Sequence, residues 1–231
     1  MATPLIERIR KLRESRKITQ ADMASHLEIS RLTYIGIESG EKKPTLEELE
    51  KIGSALGITA QNLIFPVQSS TGENKSLLKY RQMSQACIQF GGSEVDGKIT
   101  KTKLAKLLYL VDFSWYVKQN VSMSGLEYRA LPRGPVANEF FQMTDDMFES
   151  GQIDIEAKGA ALMISNTELS SLNELSKFEL EHIKSVCSKW QEADTQTLVE
   201  FTHNQSPWMK TKPGMVIPYE LADQIPQDQL Y

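Results

Sequence analysis

Between residues 5 and 65 apolar side chains recur at helical spacing in five short blocks, each bounded by a start or stop signal. Leu5, Ile9 and Leu12 make the buried stripe of a first helix. Thr19 is placed to cap a second helix whose inward positions are Met23, Ala24 and Leu27, and Ser30 to cap a third that runs to about Glu38 before Gly40 stops it. Pro44-Thr45 opens a fourth helix with Leu46, Leu49, Ile52 and Leu56 inward; Thr45 and Glu48 are spaced for a capping box, and Gly57 ends it. Thr59 caps a last short helix through Leu63. Beyond Pro66 the run VQSSTGENK is polar and without apolar period, so residues 66–75 read as a linker between a domain at 1–65 and one at 76–231.

The second domain begins with a helix over about 75–90, followed by a loop through GGSEVDGKIT. Residues 101–119 form the most apolar helix. Leu104, Leu107, Leu108, Val111 and Trp115 line one face, and Tyr109, Leu110, Phe113 and Tyr116 add others, which places this helix at the centre of its domain. LEYRALPRGPV is extended, because Pro132 and Pro135 exclude helix between them. A helix over 136–150 follows, then a β-hairpin in which QIDIEAK and AALMIS alternate around Gly159. Residues 176–190 are helical with Phe178, Ile183, Val186, Cys187 and Trp190 inward, and a shorter helix covers 195–203. NQSPWMKTKPGMVIPYEL is too rich in proline for a regular element before about Tyr219. The fold class is mainly α: a five-helix domain, then an α+β, mostly helical domain with a small β-hairpin.

Charge sharpens this division. Nine basic residues against six acidic ones leave +3 in residues 1–43, so the other 188 of the 231 residues carry −7 of the net −4. A basic head on an acidic body suits a chain whose head alone meets phosphate. With 40% hydrophobic and 24% charged residues the composition is that of a soluble globular protein. Cys87 and Cys187, 100 residues apart, form no disulfide framework and no zinc pattern, and both read as buried thiols. Polar Glu7 to Arg16 follow the N-terminus almost at once, unlike a signal peptide. The run Leu104 to Val117 is broken by Lys106 and Asp112 and is too short to span a bilayer, so a cytoplasmic protein with no membrane partner is expected.

TQADMASHLEISRLTYIGIESG has the two-helix form in which the second helix enters the major groove. Ala24 is small where the helices approach, Leu27 and Ile29 bracket the turn, and Tyr34 and Ile37 hold the second helix down. Ser30, Arg31, Leu32, Thr33 and Gly36 are left to face DNA. Together with ESGEKKPTLEELEKIGSALGI, these residues resemble the lambda-repressor/Cro-like helix-turn-helix domains over 6–65. The resemblance implies that Gln20, Ser39, Lys42 and Lys43 meet the DNA backbone, that Arg31, Leu32 and Gly36 face bases, and that Thr33 faces either. Arg31 is the best direct reader, able to grip a guanine edge in two places, and Leu32 suits a thymine methyl. Glu28 stands where the turn often has glycine, which is tolerable if the backbone there is not left-handed. Operator binding as a homodimer on a palindrome is expected from this class.

The second domain has no Gly-rich phosphate loop, HExxH, GxSxG or paired-cysteine motif, and no cofactor or metal is expected. His26 is expected partly exposed, His182 in a surface or cap role, and His203 without a nucleophile beside it. KLAKLLYLVDFSWY, GLEYRALPRGPV and EFTHNQSPWMKTKPGMVIPYELA, in that order, resemble the Panacea or SocA-like antitoxin domain over about 75–222. Arg133 departs from the aromatic common before its Gly-Pro pair. The resemblance implies an antitoxin that neutralises a neighbouring toxin by direct binding and is no enzyme, with toxin occupancy altering DNA affinity. Tyr128, Arg129, Arg133, Gly134, Pro135 and Trp208 are the candidate toxin contacts. Pro132 and Pro135 stiffen the loop, Gly134 serves either a close backbone approach or a plain turn, and the acidic body suits a basic toxin. Two alternatives stand: a regulator without a toxin, and a proteolytic adaptor.

Overall fold

The computed structural model describes residues 4–58, 60–64, 75–167 and 172–231. The expected cap at Thr59 and all of the expected linker except Lys75 lie outside the described residues. The chain divides into two compact units, Met1–Ser70 with Ile155–Met163, and Thr71–Asp154 with Ile164–Tyr231.

The first unit holds five helices, α1 (Pro4–Ser15), α2 (Gln20–His26), α3 (Arg31–Ser39), α4 (Leu46–Leu56) and α5 (Ala60–Ile64). Their boundaries follow from local chemistry. The Thr19 and Thr45 hydroxyl oxygens accept from the Asp22 and Glu48 amides, and the Thr19 and Thr45 amides donate back to the Asp22 and Glu48 carboxylates, which satisfies amides that a helix start otherwise leaves open. Ser30 accepts from the Thr33 amide, and Gly40 and Gly57 end α3 and α4 at φ 80° and 66°. Ile9, Met23, Tyr34, Ile37, Ile52 and Leu56 are wholly buried in one core, each such side chain contributing about 2 kcal/mol.

One expectation fails here, and the condition set for Glu28 is not met. Leu46 is 66% exposed: it is the first residue after the Thr45 cap, a turn ahead of the buried stripe Leu49, Ile52 and Leu56. Glu28 does adopt the left-handed conformation, φ 58°. The Glu28 amide donates to the Ser25 carbonyl and the carboxylate meets Lys51 Nζ at 3.1 Å, contacts that offset part of a strain of about 1–2 kcal/mol.

The second unit is built on α7 (Lys101–Gln119), packed against α6 (Lys75–Gly91) and followed by β2 (Tyr128–Leu131), β3 (Gly134–Ala137) and α8 (Phe140–Glu149); of the next two strands, β4 (Ile153–Lys158) and β5 (Ala161–Asn166), residues 155–163 belong to the first unit. Then come α9 (Lys177–Trp190), α10 (Thr195–His203), α11 (Ser206–Met209), β6 (Val216–Ile217) and a 3-10 helix, Tyr219–Gln224. β1 (Ile99–Thr100) completes a sheet in the order β1-β5-β4, and β3-β2-β6 make a second, antiparallel one. The fold is mainly α with small antiparallel sheets. No described helix is long and apolar enough to cross a membrane.

The α7 helix is central, as its pattern predicts: Leu104, Leu107, Leu108, Tyr109, Leu110 and Val111 are all wholly buried. The expected helix at 136–150 instead starts at Phe140, because Val136 and Ala137 pair with Arg129 and Tyr128 across a hairpin. The proline-rich tail contains α11, with Pro207 in its first turn where a missing N–H costs nothing, and β6, which pairs with β2. Phe178 is 75% exposed. The inward stripe of α9 is Glu179, His182, Ile183, Val186, Cys187 and Trp190, and Phe178 sits one position out of phase with it, at the rim of an open cleft shared with Trp115 and His182.

The strongest anchor of the first unit is an ion pair. Arg13 Nε and Nη2 donate to the two Glu38 oxygens at 2.6 and 3.2 Å, Gln20 Nε2 donates at 2.9 Å and Tyr34 OH at 2.8 Å. Burial alone pushes the Glu38 carboxyl up, but these donors outweigh it and hold it below the usual range. Glu38→Ala leaves the buried Arg13 guanidinium with only the Ile18 carbonyl and the half-exposed Glu14 and should lower unfolding stability by about 3 kcal/mol. Urea titration followed by circular dichroism checks this; a loss under about 1 kcal/mol would contradict the anchoring role.

Candidate DNA interface and partner-binding turn

The α2–turn–α3 pair presents the expected reading residues on one side. Arg31 is exposed, Leu32 is 80% exposed, and Thr33 and Gly36 are half-buried. Ser30 caps α3 with its hydroxyl 2.8 Å from Thr33 Oγ1, so both hydroxyls are oriented at the helix start. A Cβ on Gly36 would meet only Lys42 Cβ at 3.8 Å, so nothing inside the protein demands glycine there. Lys43 is exposed at the end of α3, Ser39 Oγ donates to the Gly36 carbonyl, and Lys42 Nζ is paired with Glu48. Gln20 is turned inward to Glu38, so its amide braces α2 against α3. The basic head is smaller than its tally. Arg13 is held by Glu38, and Arg16 is fully buried with its guanidinium donating to the Leu56 carbonyl at the end of α4. Neither is placed to meet phosphate.

In the second unit, the three sequence blocks that carry the antitoxin resemblance converge on one turn. Leu131 pairs with Gly134, leaving Pro132 and Arg133 at an exposed tip. Proline cannot take the positive φ of the usual two-residue hairpin turns; Gly134, immediately after, supplies it at φ 97°. A Cβ on Gly134 would lie 2.9 Å from Lys106 Nζ and 3.0 Å from His203 Nε2. The glycine is therefore a close-approach residue, with side chains from α7 and α10 pressed beneath it. Lys106 Nζ donates to the Pro135 carbonyl at 3.0 Å. The His203 ring stacks on Trp208, centroids 4.1 Å apart and planes 13° apart, and Trp208 Nε1 donates to the Leu131 carbonyl at 3.3 Å. Both strand ends of the turn are thus fastened from below.

Several expected contacts take other roles. Tyr128 is fully buried: the two-residue period of β2 sends Tyr128 and Ala130 inward and Arg129 and Leu131 outward. The Tyr128 hydroxyl donates to the Leu108 carbonyl, and its ring packs among Tyr109, Phe113 and Tyr219. Gly134 and Pro135 are buried as well, and only Arg129, Arg133 and Trp208 of the six reach the surface. His182 is buried rather than superficial, 2.9 Å from Ser114 Oγ, and burial followed by the Lys118 charge pushes it down to about 4. Lys106 was missed. Its signal was a cation in the most apolar helix, where it breaks the pattern without ending the helix.

Lys106 is 1% exposed, and burial pushes its amine down to about 7. The folded chain therefore favours the neutral amine, while the unfolded chain binds a proton up to the ordinary value of 10.5. Stability contributed at this site rises with pH from about 7 toward 10.5 and is lowest below 7. Against Lys106→Met, wild type should gain about 2 kcal/mol between pH 7 and pH 9. Paired urea titrations at both pH values measure it, and a pH-independent difference would refute the buried amine.

Comparison with known proteins bears on both sites. The helix-turn-helix family model matches residues 9–63. The model described as antitoxin SocA-like, Panacea domain, matches residues 104–209, which hold Lys106, Gly134, His203 and Trp208. The cryptic phage CTXphi transcriptional repressor RstR of Vibrio cholerae serotype O1 is 40% identical over 72 residues, 31% of this chain and 62% of the repressor. The control protein C.MunI of a Mycoplasma species is 34% identical over 62 residues, 26% of this chain and 84% of that protein. The chain thus spans about three-fifths of the first relative's length. No solved structure matches the chain. Through residues 9–63 the chain belongs to the helix-turn-helix family of DNA-binding regulators, joined to an antitoxin SocA-like Panacea domain in its second unit.

Proposed function

We propose that this chain is the antitoxin of a toxin–antitoxin pair. The second unit binds a toxin encoded beside it and silences it by occupancy, without turnover. The first unit binds the operator of the pair as a two-fold dimer, reading half-sites about one helical turn apart. Toxin occupancy then feeds back on expression through DNA affinity, in the cytoplasm where operator and toxin meet.

The observation that carries the reading is the convergence of the antitoxin blocks on a braced, exposed turn: Lys106 from α7, and His203 and Trp208 from α10 and α11, hold a hairpin whose tip is Arg133. A pre-ordered loop forfeits little conformational freedom on binding, which fits recognition. RstR and C.MunI are regulators by name, and they support the DNA-binding half alone.

Inducible expression of the adjacent reading frame, with and without this chain, tests the reading. The neighbour alone should stop growth, and co-expression should restore it. Arg31→Ala should preserve that rescue while weakening operator binding about 5- to 100-fold in a titration at fixed salt, the range for losing one bidentate base contact. A harmless neighbour would sink the antitoxin assignment and leave a DNA-binding regulator.

A further inference from the structure

Two segments around the turn carry charge opposite to the rest of the second unit. Residues 128–138 hold Arg129 and Arg133 and no acid; residues 203–219 hold Lys210 and Lys212 and no acid. Residues 44–231 as a whole are strongly acidic. The two segments lie side by side. The Gly214 amide donates to the Ala130 carbonyl at 2.7 Å, the Ala130 amide to the Met215 carbonyl at 3.0 Å, and Arg129 Nη1 to the Gly214 carbonyl at 3.0 Å. Arg133, Lys210 and Lys212 are exposed, and Lys210 Nζ is bonded to the neutral Gln224 amide. Glu127 and Glu139 flank the first segment at the end of the hairpin away from the tip, where Glu127 accepts from Asn138, and Glu220 follows the second segment.

Within this basic border the surface is apolar. Met209 is 65% and Met215 58% exposed, with Pro132 and Pro213 also exposed. Unbranched thioethers are adaptable surface anchors, and arginine is among the residues that dominate interface energetics. A phosphate backbone would draw on the cations and gain nothing from the methionines, so the combination favours a protein.

We propose that the β2–β3 tip and the 209–215 segment form one docking surface, and that its partner is a protein presenting acidic groups around an apolar anchor. This rests on the antitoxin reading and gives the toxin-facing surface its chemistry: the acidic body as a whole suits a basic partner, whereas the braced turn suits an acidic one. Arg133, Lys210 and Lys212 steer and orient the partner, and Met209 and Met215 hold it.

The full chain and the purified product of the adjacent reading frame test this by surface plasmon resonance across a salt series, with melting curves confirming that each variant is folded. Arg133→Glu/Lys210→Glu/Lys212→Glu should slow association by at least about 10-fold at low salt, with the deficit shrinking as salt rises. Met209→Ser/Met215→Ser should speed dissociation by about 10-fold or more with little change in salt dependence. Folded variants that bind like wild type would overturn the docking surface while leaving the antitoxin reading in place on another face. A wild-type chain that does not bind the product overturns both. A charge-reversal variant that loses affinity for unrelated duplex DNA, while binding the product normally, identifies the patch as a nucleic-acid contact and overturns the proposal.

Discussion

Charge taken out of water is the constraint on which both units depend. In a low-dielectric interior an ionised group must be met by donors or acceptors of the right sign, or give up its proton. The chain solves this three ways. Glu38 keeps its charge because Arg13, Gln20 and Tyr34 converge on it from α1, α2 and α3. Asp112, fully buried on α7, accepts from the Met123 and Ser124 amides, the Ser124 hydroxyl and Tyr219, although burial still raises its carboxyl. Lys106 has the Pro135 carbonyl as its hydrogen-bond acceptor and is pushed toward neutrality.

Each solution fixes a piece of functional geometry. The Glu38 cluster sets how the reading helix α3 lies against its two neighbours, so the direction in which Arg31 and Leu32 point is decided on the opposite side of the helix from the DNA. Asp112 clamps the chain just after α7 and just before β2, which sets where the hairpin begins. Lys106 then supports the far end of the same hairpin. A single helix thereby fixes the approach to the hairpin and one side of its turn, Trp208 of α11 holding the other side.

The sequence is most legible where function is local. Caps at Thr19, Ser30, Thr45 and the stops at Gly40 and Gly57 depend on a few neighbouring residues, and the structure places them as expected. Leu46 and Phe178 were misjudged because periodicity gives the phase of a stripe but not where the core ends. Tyr128 belongs to a motif that strand alternation divides between two faces, which its sequence spacing from Arg129 and Arg133 alone does not reveal. Lys106, His203 and Trp208 come from segments up to about a hundred residues apart, and nothing short of the fold reveals that they meet. Glu28 shows the reverse: the left-handed turn is kept without the residue that makes it easy.

The close packing under Gly134 also divides the turn into positions with different freedom to change. A side chain at 134 is strained by the φ of 97° and must push Lys106 and His203 aside, and Pro135 is tied through its carbonyl. Arg133, one residue away, projects into solvent. Replacements of the Arg133 side chain therefore leave the braced scaffold beneath it untouched, so the chemistry displayed at the tip and the support that holds it are set by separate residues.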